Sequence, residues 1–497
     1  MADRDYQHSR ILDVHRWSEH PESNLFVDEI YETYIHQKNN NKNIQKKHLK
    51  VVLLDLYIAW LSDPELNIAV HMTEAAYSNG QVFSKGKSRY NELNIKVSII
   101  KVIHRLRDSG LIGFQKGYEG SAEWVPQPSR IWPTDKLIKM FENAAFGYFD
   151  IGYADNRETI ILRDEDKVDA PYDDSRQVKQ MRLLVEKYNK LLERTFIDIQ
   201  SVNKPARIKL PERKKRRRRN KPVFVNITHH DKFVTRIFNN KRFSDGGRFY
   251  GGWWQRIDGK HRKDIRMNDM TTVEIDYSSL HVILAYAEAG LDYWQNTDKD
   301  PYDLPVRGVN NPEHCRKIAK LFFLLSFNAS TEQSLFKAFR SELNYTDYPY
   351  SFPDEVLSEL FTSIKEHHPD VAHLICSGAG LRLMNIDSRI CEYVIADFIQ
   401  THTPILTVHD SFIVPFGEED RLNQLMKEAF EQVTYKVGIK VKFNENLTKQ
   451  QLYVHGAQDR NWFLDMLSFV QKGEPSEGYK RRLERHKEHF SGDGAKA

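Results

Sequence analysis

The sequence predicts an α+β protein, with a mixed antiparallel sheet covered by helices over residues 225–470 and a smaller α/β winged-helix domain over 46–145 before it. Three observations carry this reading. Between residues 225 and 470, strand-like and helical runs are interleaved without an alternating strand–helix repeat, which argues against a doubly wound sheet. Upstream, two apolar helical stretches lead into a hairpin. Two β-branched runs, Thr271 to Asp276 and Ile405 to Asp410, each end on an acid, and a basic helix, Arg316 to Lys320, lies between them.

Composition bounds the remaining classes. At 497 residues the chain has room for two to four domains with real cores, and 40% hydrophobic with 12% aromatic residues fits a soluble globular protein. No apolar run reaches the length of a membrane span. Met1 to Asp5 is charged and lacks the apolar stretch of a signal peptide. Cys315, Cys376 and Cys391 match neither a disulfide framework nor a zinc site, so a reducing cytoplasm is the expected compartment. Net charge is only +4, but Arg213 to Arg219 is an unbroken basic run flanked by Lys204, Arg207, Lys209 and Lys221. Such a run is either a solvated tract or a polyanion contact. Its place just before the acid-bearing region favours nucleic-acid backbone, with Arg216 and Arg217 at its centre.

In chain order, residues 1–45 read as a polar arm ending in an Asn/Lys patch. In the winged-helix domain, Val51 to Leu61 is an apolar helix. Lys96 to Ser109 is a second, with Val97, Ile99, Ile100, Val102, Ile103 and Leu106 at helical spacing. Gly110 ends it, and Leu111 to Gln115 with Ser129 to Pro133 forms the wing. Lys96, Lys101, Arg105 and Arg107 could meet phosphates, although such modules also dock proteins. Residues 146–224 read as an acidic linker, a single helix from Arg176 to Gln200 projecting as an arm, and the basic run. Residues 471–497 read as a charged flexible tail.

The chemistry sits in 225–470. From Thr272 to Asp276 the pattern alternates, with Val273 and Ile275 on one face and Glu274 and Asp276 on the other. The second acid lies in a hairpin, where His409-Asp410-Ser411 turns between two apolar runs. A carboxylate beside a core is costly, and two brought together repel unless a cation lies between them. Magnesium takes oxygen ligands and completes its shell with water and phosphate. Taken singly, either motif could be a helix cap or an Asx turn. Arg316 and Lys320, four apart, share one helical face and can both reach a triphosphate. Ser244 to Arg248 pairs two glycines that permit close backbone approach with a cation. Trp253 and Trp254 read as core rather than as a base-stacking platform.

Together these motifs resemble the polymerase core of family A DNA polymerases and of single-subunit phage and mitochondrial RNA polymerases, over roughly residues 235–450. Asp276-Tyr277-Ser278 is similar to the family's first metal motif and Val408 to Phe412 to its last. The resemblance implies a polymerase-like palm with helical fingers and thumb. It further implies two Mg2+ ions (Mn2+ possible) on catalytic Asp276 and Asp410. Arg316, Lys320, Tyr277, His281 and Asn328 would attend the nucleoside triphosphate. Arg248, Gly247, His409 and the helix positions Arg382, Asn385 and Arg389 would attend primer–template, while Ile386, Ile390, Tyr393, Val394 and Phe398 would be core. Two positions depart from the pattern. Asn328 stands where a tyrosine is frequent, and His281 stands where DNA-making members carry a glutamate. Both bear on sugar selection. The N-terminal half has no paired-acid exonuclease pattern, so accessory replication proteins are expected partners. The expected activity is template-directed nucleotidyl transfer in replication or priming of a phage, plasmid or mobile element. The alternatives are a ribonucleotide-using primase-polymerase and a non-catalytic DNA-binding initiator or regulator.

Overall fold

Two separate apolar cores form, and the chain passes from one to the other between Ile151 and Ile160. The computed structural model describes residues 4–36, 42–74, 77, 88–118, 127–210, 223–436, 438–445 and 474–491. The architecture is a mixed α/β one with several sheets.

The first core gathers around the helix Lys42–Ser62, which buries every residue from His48 to Ala59. Beside it lies a four-stranded sheet in the order Ser9–Ile11, Asn67–Val70, Ser129–Pro133, Ile112–Gln115. The last three strands are antiparallel and the first joins in parallel. The helix Ile99–Asp108 turns Ile99, Val102, Ile103 and Leu106 inward and leaves Lys101 and Arg107 exposed. It begins after Val97, which is exposed rather than part of the apolar face.

Within the expected polar arm of residues 1–45, the described residues 4–36 are not an arm. Phe26, Val27, Ile30, Tyr31 and Ile35 belong to this core, on a stripe disguised by the charges between them. Arg10 grips Asp55 with both nitrogens at 2.7 Å. Asp55 is fully buried in an apolar helix and requires such a cation.

The acidic stretch after residue 146 is not a free linker either. Glu158 and Asp174 are both held by Arg89 and Arg182, at 2.8–3.2 Å. Ile160–Leu162 then pairs in parallel with Thr235–Asn239. The helix Arg176–Arg194 does not project, because Val178, Met181, Val185, Tyr188 and Leu192 are all buried in the second core. Its C-terminal carbonyls receive the buried Lys232 ammonium, 2.7 Å from the Thr195 oxygen, where the helix dipole favours a cation.

The principal sheet runs Leu406–Val408, Ser411–Pro415, Met270–Tyr277, Ile265–Met267, Ile197–Ile199, with Phe443–Glu445 also pairing with Met270–Tyr277. All these pairings are antiparallel. The helix Gly380–Gln400 covers the strand Arg242–Tyr250 of a smaller neighbouring sheet.

The C-terminal segment is a docked helix, Glu477–Ser491, and not a flexible tail. Tyr479 is buried and donates its hydroxyl to Asp269 at 2.7 Å. Arg482 pairs with buried Asp198 at 2.6 Å, and His486 packs on Phe196. Spacings of three and four put these residues on one face.

Buried histidines give the fold a pH dependence. His48, His368 and His486 are almost fully enclosed, and burial holds each near 4 instead of 6.5. Between those values the unfolded chain binds more protons than the folded one, so stability rises with pH across the window. Through these rings the urea midpoint should therefore fall steadily from about pH 6.5 toward pH 4. A midpoint that stays level down to pH 4.5 would contradict this.

Candidate active site

Alternation along Met270–Tyr277 decides what faces the site. Val273, Ile275 and Tyr277 are buried in the core, while Glu274 and Asp276 lie half-buried on the opposite face. The Asp410 hairpin is tight, with only His409 and Asp410 between its strands. His409 takes a left-handed backbone at φ +60, uncommon for a residue with a side chain. In the register between the two motifs, Asp276 opposes Ser411, and the Tyr277 amide reaches the Asp410 carbonyl at 3.4 Å. Asp410, in the turn, thus adjoins the residue that opposes Asp276, although 134 positions separate the two acids along the chain.

The hairpin is fixed on its outer edge and on one face. On its outer edge the Ile405 carbonyl accepts from the Tyr188 hydroxyl at 2.9 Å. The Thr407 carbonyl accepts from the Trp254 indole at 3.1 Å and from the Gln255 amide at 2.9 Å. Trp253 and Trp254 are both fully buried, as core residues. On the face shared with Asp276, Ser411 donates to Glu274 at 2.9 Å, and Arg262 grips the same carboxylate.

Arg248 enters from the strand Arg242–Tyr250. Its Nε donates to Asp387 at 2.6 Å and its Nη2 to His281 Nε2 at 3.0 Å. Asp387 is on the buried face of the helix Gly380–Gln400. Burial alone would raise its carboxyl, but Arg248 and then His281 outweigh that and hold it below the usual range. The His409 ring meets Tyr250 edge-on at 5.8 Å. Burial and then Arg248 push its imidazole down, against the pull of Asp410.

The basic helix spans Pro312–Ser326, capped by the Asn311 side chain. Arg316 and Lys320 project together over the buried ring of Tyr302, at 5.6 and 5.7 Å. Arg316 also pairs with Asp300 at 2.6 Å. Burial raises the Tyr302 phenol, which feels Asp410 from the hairpin and Asp300 from its own loop. The Tyr302 loop is tied down by His368, whose Nε2 lies 2.8 Å from the Pro301 carbonyl.

Strand register thus sets Asp276 beside the His409-Asp410 turn, a hydrogen bond joins Arg248 to His281, and Arg316 and Lys320 share the Tyr302 ring. Several other candidates join none of these groups. Tyr277 points into the core, its hydroxyl on the Met426 carbonyl, because strand neighbours face opposite ways. Gly246 and Gly247 are buried with φ of +80 and +91. A Cβ on Gly247 would stand 2.5 Å from Phe238 and 2.9 Å from Ser388. That glycine serves packing and offers no surface to a nucleic-acid strand. Asn328 lies beyond the helix end, itself about 15 Å along the axis from Arg316, and is wedged against Gly380. Asn385 donates to the Phe243 and Gly246 carbonyls at 3.0 and 3.2 Å, holding the glycine turn. Arg382 is exposed and paired with Glu288, and Arg389 is exposed. Tyr393 is exposed rather than core. Arg216 and Arg217, with the whole run Arg213 to Arg219, lie outside the described residues.

Three contributors escaped sequence reasoning, namely Asp387, Tyr302 and Asp300. Asp387 left one trace, since it keeps phase with the buried positions Leu383, Ile390 and Val394, where an acid demands a partner. Among the described residues, no group of three or more His, Cys, Asp or Glu side chains is arranged to hold a metal.

The Arg248–Asp387 pair should be structurally expensive to break. Asp387→Ala leaves a desolvated guanidinium and should cost about 3–5 kcal/mol in urea unfolding. Arg389→Ala, on the exposed side of the same helix, should stay within about 0.5 kcal/mol. Equal losses would show that the pair is not a buried anchor.

No protein-family model matches the chain, and no curated protein sequence matches it. Among solved structures, the chain is similar to the POL domain of Pol1 from M. smegmatis in complex with DNA primer-template and dNTP, at 15% identity and a TM-score of 0.27. The match covers 43% of this chain and 47% of that one, so the chain spans about half the length of the structure it matches.

Proposed function

We propose that the protein is a template-directed nucleic-acid polymerase of family A type. The carrying observation is the strand register that sets Asp276 beside the His409-Asp410 turn, together with a helix that presents Arg316 and Lys320 on one face. The acids supply only oxygen donors, and one or two carboxylates are what Mg2+ takes when phosphates and water complete its shell. The donor set therefore fits. Held by Asp276 and Asp410, two Mg2+ ions, or Mn2+, would supply activation of the attacking hydroxyl and stabilisation of the leaving oxygen.

The chain's own residues provide positioning and charge. Arg316 and Lys320 bind the triphosphate, with Arg316 exchanging Asp300 for phosphate. Arg248, fixed by Asp387, presents its guanidinium beside the hairpin to primer–template backbone, and His409 flanks it. His281, whose Nε2 accepts from Arg248, lies at the sugar. A histidine there, where DNA-making members carry a carboxylate, favours a second reading, a primase-polymerase that accepts ribonucleotides. The N-terminal unit is a winged helix that meets duplex phosphates through Lys101 and Arg107. No described helix is long and apolar enough to cross a membrane.

Asp410→Ala should lower nucleotide incorporation by more than about 10²-fold while primer–template binding persists. Retained incorporation would refute the assignment. His281→Glu should move the ratio of deoxynucleotide to ribonucleotide incorporation upward, and an unchanged ratio removes His281 from the sugar.

A further inference from the structure

A cavity of about 410 Å3 lies between the N-terminal unit, the edge strand Ile197–Ile199 and the C-terminal helix Glu477–Ser491. It belongs to the size class that holds small-molecule ligands. It is remote from the acids. In sheet order Ile197–Ile199 is three strand spacings, about 14 Å, from Ser411–Pro415 and two, about 10 Å, from Met270–Tyr277, whose Asp276 lies at the end away from the residues that pair toward it.

The walls combine three kinds of chemistry. Tyr148, Phe149 and Phe196 supply aromatic surface. His486 is 6% exposed and His229 half-buried. Among the described residues, neither His486 Nε2 nor His229 Nδ1 has a hydrogen-bond partner, although both nitrogens are shielded from solvent. Burial, reinforced by Lys232, holds both rings well toward the neutral form, His486 near 4. Each therefore offers one donor or one acceptor without charge. At the mouth, Arg481 and Arg485 stand one helical turn apart and exposed, with Lys204 also exposed on the lining. Two further lining cations are already committed, Lys232 to the Thr195 carbonyl and Arg482 to Asp198. The lining carries five Lys and Arg against two acids, Asp198 and Glu477, and Glu477 is itself paired with Lys480. The site therefore suits an anion joined to a planar ring with polar edge atoms.

We propose that this cavity binds a nucleoside monophosphate. The base lies against the aromatic walls with its edge on His229 and His486, and the phosphate sits at Arg481 and Arg485. The same chemistry is presented by a free nucleotide and by the 5′-phosphorylated end of a strand.

The test uses the full chain carrying Arg316→Ala and Lys320→Ala, so that the proposed triphosphate grip cannot report. AMP, GMP, CMP and UMP are titrated by calorimetry beside inorganic phosphate, adenosine and a 5′-phosphorylated dinucleotide. At least one monophosphate should bind with unit stoichiometry, at least tenfold tighter than phosphate or adenosine. Arg485→Glu, an exposed change, should weaken it at least tenfold, and so should His486→Phe. Tighter binding of the dinucleotide, equally sensitive to Arg485→Glu, assigns the site to strand ends. Monophosphates that bind no better than inorganic phosphate, or binding indifferent to Arg485→Glu, overturn the proposal. These outcomes do not depend on whether Asp410 supports incorporation.

Discussion

The pairing of Met270–Tyr277 with Ser411–Pro415 is the constraint on which the site depends. A slip of one residue in either strand would exchange the two faces, sending Asp276 into the core and Tyr277 outward. The register resists such a slip because both faces are specified. Val273, Ile275, Phe412 and Val414 fill the core side. On the other side, Ser411 and Arg262 bind Glu274, one residue pair away from Asp276. The tight turn at His409-Asp410 leaves no slack at the hairpin end, and Tyr188, Trp254 and Gln255 occupy the carbonyls of its free edge.

Electrostatics divides the cations into two kinds. Arg248 is largely buried and locked to Asp387, so its position is set before any ligand arrives, and removing its partner costs several kcal/mol. Arg316 is partly exposed and paired with a partly exposed Asp300. A pair of that kind contributes about 0–1 kcal/mol, so a triphosphate can displace the carboxylate at little cost. The fixed cation suits a permanent structural contact, and the exchangeable one suits a substrate that comes and goes.

Local periodicity made much of this legible. The alternation around Asp276, the hairpin around Asp410, the face shared by Arg316 and Lys320, and the paired strands Ile112–Gln115 and Ser129–Pro133 all follow from neighbours a few residues apart. What escaped depends on partners distant in sequence. Nothing near Asp387 announces Arg248, and nothing near Tyr302 announces that Arg316 and Lys320 meet over its ring. The stripes in residues 21–35 and 477–491 are short and rich in charge, so they resemble solvated segments until Asp55 and Asp198 are seen to need Arg10 and Arg482. Gly247 reads as a backbone contact, but Phe238 and Ser388 leave no room for a side chain there. Tyr277 reads as part of a motif, yet strand geometry turns it away from its neighbour.

The most direct test of joint cation binding is Mn2+ titration followed by electron paramagnetic resonance, with a nucleoside triphosphate present. The variants are Asp276→Asn, Asp410→Asn and the double substitution. If the carboxylates share ions, each single substitution should remove most of the tight binding, and the double should be little worse than either single, a strongly non-additive result. Additive losses, or a variant that keeps the full tight stoichiometry, would mean that the two acids act apart and would contradict the account.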